Sequence, residues 1–267
     1  MPEEVAYLVV GHGTRQEAGQ QQFRLVFAQF AQCVAPQRAE LAFLELAQPD
    51  IPQAVARLAE QGATSIVTVP VLLFAAGHAL QDIPRAVELA AEKHGIRCVG
   101  QSAPLELDRN VVELSALRFR QTVCHTADPS SCLQCCGKAV CPSTALVMVG
   151  RGSRSDSATA AMRQFSELRR QITPVAQLET AFIVGQNPTV EQALQRVAGG
   201  RCTTVVVQPH LLFEGLLMEQ MRQQVAAYAE RYPQQRWCIT QALGIDFALA
   251  QTLVALATQV GNCAECG

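Results

Sequence analysis

Hydrophobic and polar positions follow two rhythms along the chain. A short continuous apolar run at 5–10 ends in Gly11-His12-Gly13. The spacing then turns helical, with Phe23, Val26, Phe27 and Phe30 on one face. A second run at 41–46 leads to Gln48-Pro49-Asp50 and another helical segment. The third run, Ser65 to Val71, is continuous and β-branched. A helix at 81–94, a short strand at 96–99 and a helix at 109–121 follow. Short apolar runs alternating with amphipathic helices predict a small parallel sheet flanked by helices on both faces, an α/β fold.

The pattern is written twice. Gly11-His12-Gly13-Thr14 recurs as Gly150-Arg151-Gly152-Ser153, displaced by 139 positions. The same displacement carries Ala42-Phe43 onto Ala181-Phe182, Pro49 onto Pro188, Pro70 onto Pro209, and Leu72-Leu73-Phe74 onto Leu211-Leu212-Phe213. The second half has its own strand runs at 145–149, 178–184, 203–208 and 236–240. This period is too long for a solenoid unit and fits a duplicated domain. The expected organisation is a first domain at 1–123, a Cys-rich linker at 124–143, a second domain at 144–261 and a Cys-containing tail at 262–267. The length of 267 residues leaves each domain enough chain for its own core.

Composition narrows the function classes. The formal charge is -2 and the pI about 6.2, so no broad basic surface for nucleic acid is expected. No uninterrupted apolar run reaches the ~18 residues of a membrane span. The N-terminus, MPEEVAYLVVGHG, is acidic where a signal peptide is basic. A cytoplasmic protein without membrane partners is the expectation. In that reducing setting, clustered cysteines point to metal or redox chemistry rather than structural disulfides.

In an open parallel sheet, ligands bind beyond the carboxyl ends of the strands. His12 follows the first strand directly, between two glycines that allow close approach to the backbone. His78 lies just after the third strand, in Phe74-Ala75-Ala76-Gly77-His78. Gln48 and Pro49 follow the second. Two imidazoles opening on one edge can hold Co²⁺, Fe²⁺, Ni²⁺ or Zn²⁺, and can accept protons near neutral pH. A lone loop histidine is ordinary; two in strand-end loops on the reactive edge favour function.

Three motifs in order, GHGT, FLELAQPDIPQAV and VPVLLFAAGHALQDIP, resemble the sirohydrochlorin chelatases, the CbiX/SirB class of type II tetrapyrrole chelatases. The resemblance covers the first half and, more weakly, the second, as in the long two-domain members. It implies tandem flavodoxin-like, chelatase-fold domains. It also implies insertion of Co²⁺ or Fe²⁺ into sirohydrochlorin, feeding cobalamin or siroheme synthesis, with release of two protons. His12 matches the catalytic and metal-binding histidine, and His78 the second metal ligand. Leu73, Phe74, Ala75, Ala76, Gly77 and His78 match the segment lining the tetrapyrrole. Gln48 stands where relatives carry Glu in a substrate-linked Glu-Pro pair. Glu45 lies in the same motif, but strand alternation can point it elsewhere.

The second half has lost these groups. Arg151 replaces the first histidine and Leu217 stands at the position of His78. Arginine pairs well with carboxylates, which sirohydrochlorin carries, so Arg151 is a candidate rim contact. Arg15, Arg85 and Arg154 read as solvated surface charges. His210 aligns with Val71 and reads as a packed histidine.

Cys132, Cys135, Cys136 and Cys141 form a dense linker cluster near Cys124 and His125, and Cys263 and Cys266 end the chain. Four thiolates can hold an iron–sulfur cluster or zinc, although the spacing matches no ferredoxin pattern. Metal delivery and oxidisable thiols are open alternatives, with a bound metal centre favoured over none. Cys33, Cys98, Cys202 and Cys238 fall in periodic segments and read as core. A fused pair is compatible with a monomer. The alternative to a chelatase is a non-catalytic carrier of metal or tetrapyrrole.

Overall fold

The computed structural model describes residues 5–74, 78–123 and 141–264; side chains at 78–80, 141–142 and 261–264 are outside the description. The chain forms two compact units, Met1–Asp108 with Ile245–Gly267, and Arg109–Gly244. The first unit contains β1 (Val5–Gly11), α1 (Glu17–Val34), β2 (Ala39–Phe43), α2 (Ile51–Glu60), β3 (Ser65–Val71), α3 (His78–Lys93), β4 (Arg97–Gln101) and the last helix, α8 (Phe247–Ala264). Its four strands are parallel, in the order β2-β1-β3-β4. The second contains α4 (Arg109–Val123), β5 (Cys141–Gly150), α5 (Asp156–Ile172), β6 (Val175–Phe182), α6 (Val190–Val197), β7 (Thr204–Pro209), α7 (Leu216–Arg231) and β8 (Arg236–Ile239). Its parallel order is β6-β5-β7-β8.

Strand alternation explains the continuous apolar runs. Ala6, Leu8 and Val10 of β1 pack with Ile51, Ala54, Val55 and Leu58 of α2 and Ile83 and Val87 of α3. Val9 and Val67 point the other way and are equally buried. That face is covered by α1, through Phe23, Val26 and Phe30, and by α8. A sheet buried on both faces has no polar side to write into its sequence. Each such side chain withdrawn from water stabilises the unit by about 1.5–3 kcal/mol before chain entropy is counted.

The expected boundaries at 123 and 144 divide the chain by repeat; the compact units divide it differently. α4, the last helix of the first repeat, packs with α5, β7 and β8 of the second unit. α8, the last helix of the second repeat, packs on α1, β3 and β4 of the first. Phe119 of α4 is fully buried under the Arg169 guanidinium, 4.7 Å from the ring centroid. Gln208 of β7 donates to the Ser115 carbonyl at 2.6 Å. Two helices with similar apolar faces can each cap either sheet, so periodicity alone does not assign them. The strand β5 also begins at Cys141, inside the stretch expected to be linker.

The repeat extends to the helix caps. Asp50 accepts from the Gln53 amide and Gln53 reaches back to Asp50, closing a capping box at α2. Thr189 and Gln192 do the same at α6, again 139 positions on.

His210 sits in the second unit, buried, with its ring 3.9 Å from that of Phe165. Burial pushes its pKa down from 6.5 to about 3. The folded value lies below the unfolded one, so neutral His210 supports the fold fully above pH 6.5. That support is lost as pH falls toward 3. Between pH 7.5 and pH 4 the loss should be about 3 kcal/mol. Urea unfolding at the two pH values should show His210→Leu losing markedly less than the native chain. Equal acid sensitivity of the two proteins would refute this.

Candidate functional site

The site is built from two loops riveted side by side. The pairing of β1 and β2 continues past the strand ends: Leu44 N–H donates to the Gly11 carbonyl at 2.8 Å, and Glu45 N–H to the His12 carbonyl at 3.0 Å. This sets the two side chains next to each other. His12 Nδ1 lies 3.3 Å from Glu45 Oε1, with the side chains 39 % and 54 % exposed. A carboxylate on Nδ1 fixes ring orientation and tautomer, leaving Nε2 as the lone-pair nitrogen for a metal or a proton.

Gly13 makes the close approach available. Its φ is +97°, and a Cβ there would overlap the Glu45 carbonyl oxygen. Thr14 follows as a turn residue: its hydroxyl accepts from Gln16 N–H and its carbonyl from the Gln20 amide. On the other loop, the Gln48 carbonyl accepts from Arg24 at 2.6 Å. The Gln48 side-chain oxygen accepts from Asp50 N–H at 3.0 Å, so Gln48 shapes the entry to α2.

In the strand order β2-β1-β3-β4, the chain leaves β1 toward one side and returns through β3 on the other. The loops after β1 and β3 therefore flank the switch point, where such sheets bind ligands. His12 is on the first loop, and His78 is the first residue of α3, reached from the second. Leu72 and Leu73 are partly buried, and their carbonyls accept from Leu105 N–H at 2.9 Å and Glu106 N–H at 2.7 Å. Phe74 is likewise partly buried. Ala75, Ala76 and Gly77 lie outside the described residues, as does the side chain of His78. Among the described residues, no group of three or more His, Cys, Asp or Glu is assembled. The geometry shown is a histidine–carboxylate pair.

Glu45 is the site residue that sequence reasoning passed over. The expected strand at 41–46 would send alternate side chains to opposite faces. β2 instead ends at Phe43, and Leu46 takes φ +65°. Hydrogen bonding to β1 nevertheless continues through Glu45, whose side chain meets His12 there.

The second unit keeps the frame and changes the chemistry. Ile183 N–H donates to the Gly150 carbonyl and Val184 N–H to that of Arg151, both at 3.0 Å. Gly152 has φ +88° against the Val184 carbonyl. Arg163 donates to the Asn187 carbonyl as Arg24 does to that of Gln48. On this frame, Arg151 stands for His12, Val184 for Glu45 and Leu217 for His78. Arg151, Arg154, Arg15 and Arg85 are exposed.

Cysteine placement departs from expectation in part. Cys202 is buried and Cys238 partly so, but Cys33 and Cys98 are exposed. Cys33 is on the outer side of α1 and Cys98 is on the edge strand β4. Small size and apolar periodicity do not tell a tolerated surface thiol from a core one. Cys132, Cys135 and Cys136, the side chain of Cys141, and Cys124, His125 and Cys266 are outside the described residues, as is the Cys263 side chain.

Comparison with known proteins agrees with the duplicated architecture. The chain is 27 % identical over 248 residues to a sirohydrochlorin ferrochelatase of Priestia megaterium, covering 93 % of this chain and 87 % of that protein. It is 24 % identical over 221 residues to a sirohydrochlorin cobaltochelatase of the same organism, covering 83 % and 68 %. The solved structure of SirB from Bacillus subtilis with Fe³⁺ superposes with a TM-score of 0.82 at 23 % identity, covering 98 % and 97 %, which establishes the fold. SirB of Bacillus subtilis subspecies spizizenii in complex with cobalt gives 0.78 at 25 %, with the same coverage. The CbiX family model matches twice, at residues 6–122 and 145–260. The chain therefore belongs to the CbiX family and carries two copies of its domain.

Proposed function

We propose that the chain is a sirohydrochlorin metal chelatase, a lyase that inserts Co²⁺ or Fe²⁺ into the tetrapyrrole with release of two protons. The observation that carries this is the His12–Glu45 pair at the switch-point edge of the first sheet, in a chain of the CbiX family. The relatives named as ferrochelatases and cobaltochelatases support both the substrate and the choice of metals.

The metal is a substrate here. Insertion exchanges M²⁺ for two pyrrole protons, so the site needs donors for the metal and an acceptor for protons. His12 Nε2 supplies a borderline nitrogen donor, suited to both metals. Glu45 holds Nδ1 and so keeps the ring oriented with Nε2 open to the metal. His78, reached from the loop after β3, is the second donor. As the metal passes to the macrocycle, the freed His12 imidazole accepts the two pyrrole protons in turn and passes each to solvent, to which it is open. Leu73, Phe74, Ala75, Ala76 and Gly77 provide the floor for the flat ligand. Gln48 holds the shape of its loop and offers the substrate its side-chain N–H groups. Arg151 pairs with a substrate carboxylate.

The protein works as a cytoplasmic monomer in this reading, since one chain supplies both domain copies. No described helix is long and apolar enough to cross a membrane. The linker cysteines Cys132, Cys135, Cys136 and Cys141 form a separate thiolate centre, checked by iron, sulfide and zinc content of anaerobically purified protein.

The functional test is an anaerobic absorbance assay with sirohydrochlorin in excess over protein, run with Co²⁺ and with Fe²⁺. A chelatase gives metallated product well beyond one equivalent, and the faster metal indicates the pathway served. A carrier saturates at one equivalent. Turnover of protoporphyrin but not sirohydrochlorin would overturn the substrate assignment.

A further inference from the structure

Only two non-glycine residues among those described have left-handed backbone, Leu46 at φ +65° and Glu106 at φ +34°. A bulky L-residue at positive φ crowds its Cβ against the backbone, a cost that glycine escapes. The second unit escapes it at both places. Gly185, 139 positions after Leu46, has φ +73°. Gly244 has φ +68° and donates to the Leu212 carbonyl at 2.7 Å, as Glu106 donates to the Leu73 carbonyl at 2.7 Å. The same backbone is thus built with glycine where the chemistry has gone and without it where the chemistry remains.

Both positions touch the site. Leu46 follows Glu45 directly, and Glu106 anchors the loop after β3. The apolar Leu46 side chain is 49 % exposed, comparable with Val184 at 53 % in the sister loop, so the difference between the units is the backbone strain. A strained, half-exposed leucine gains nothing for the fold that Gly185 does not supply in the sister unit. Backbone strain retained against an easy alternative marks a functional position.

We infer that Leu46 is a substrate-binding residue, whose side chain packs on the apolar face of the tetrapyrrole beside the His12–Glu45 pair. A flat macrocycle with a charged rim needs apolar contacts to its face as well as partners for its carboxylates. Leu46 supplies that contact from the loop that follows β2. This assignment rests on the chelatase reading for the identity of the ligand.

The experiment compares the native chain with Leu46→Gly and Leu46→Met. Binding of metal-free sirohydrochlorin is followed by absorbance, and unfolding by heating. Leu46→Gly should unfold at or above the native midpoint, yet bind sirohydrochlorin about 4- to 12-fold more weakly, the affinity carried by roughly half a buried leucine. Leu46→Met keeps an apolar side chain and should bind within about 2-fold of native. Native affinity in Leu46→Gly would overturn the inference and leave the chelatase reading intact. A clearly lowered unfolding midpoint in Leu46→Gly would also overturn it, showing a structural role. No binding by the native chain would sink both readings.

Discussion

His12→Ala should lower the rate of sirohydrochlorin metallation by at least ~10²-fold while leaving the fold in place. The size follows from two lost roles: a metal donor and a proton acceptor worth about 10²- to 10⁴-fold by itself. The fold should hold because the His12 side chain is 39 % exposed and its backbone, not its ring, carries the bond to the Glu45 loop. The unfolding midpoint should stay within about 2 °C of native. Glu45→Gln is the companion variant. It keeps the shape but loses the carboxylate, so Nδ1 loses the charged partner that orients the ring. A loss of about 10- to 100-fold is expected. Steady-state kinetics on the two variants checks the order. If Glu45→Gln were as active as native, the pair would be a surface contact and nothing more.

Gly13→Ala should be the most damaging change to the backbone of the site. At φ +97° a non-glycine residue is strained, and the new Cβ would meet the Glu45 carbonyl, a backbone atom that cannot swing aside. A cost of roughly 2–4 kcal/mol is expected. Relief requires separating the two loops, which also parts Glu45 from His12. Activity per folded molecule should therefore fall with stability. Gly152→Ala makes the same comparison in the second unit, where the Cβ would meet the Val184 carbonyl. It should cost similar stability but spare most of the activity per folded molecule. Thermal unfolding and initial rates at a temperature where both variants are folded separate the two effects. Equal activity loss from both would refute a first-unit site.

Much of this was legible in the residues because the repeat is chemical as well as rhythmic. Gly13 and Gly152, Asp50 and Thr189, and Pro49 and Pro188 each hold one backbone device in both copies. A device that recurs at a fixed offset is visible without any coordinates. His12 and His78 were legible as candidates because strand ends in a parallel sheet are where loops can carry chemistry. Three things were not. Glu45 was hidden because period-2 reasoning ran the strand through Leu46, whereas β2 stops at Phe43. The helix exchange was hidden because α4 and α8 each present an apolar face that either sheet can accept. Cys33 and Cys98 were placed in the core because a thiol scores as apolar whether or not water reaches it. Each failure concerns long-range packing or a single turn, which local patterns do not encode.

The first unit's edge is also the part of the chain that tolerates cost. Leu46 is strained and half exposed, and Glu45 is paired in the open rather than buried. The corresponding turn of the second unit has glycine, Gly185, at the positive-φ position, beside Val184, which is 53 % exposed.

The most direct test of the central claim records product absorbance and proton release together, in weak buffer under anaerobic conditions, with sirohydrochlorin and metal in excess. Many metallated macrocycles per chain are expected, with two protons released for each. Formation of no more than one equivalent of complex, without proton release above the uncatalysed rate, would contradict that claim.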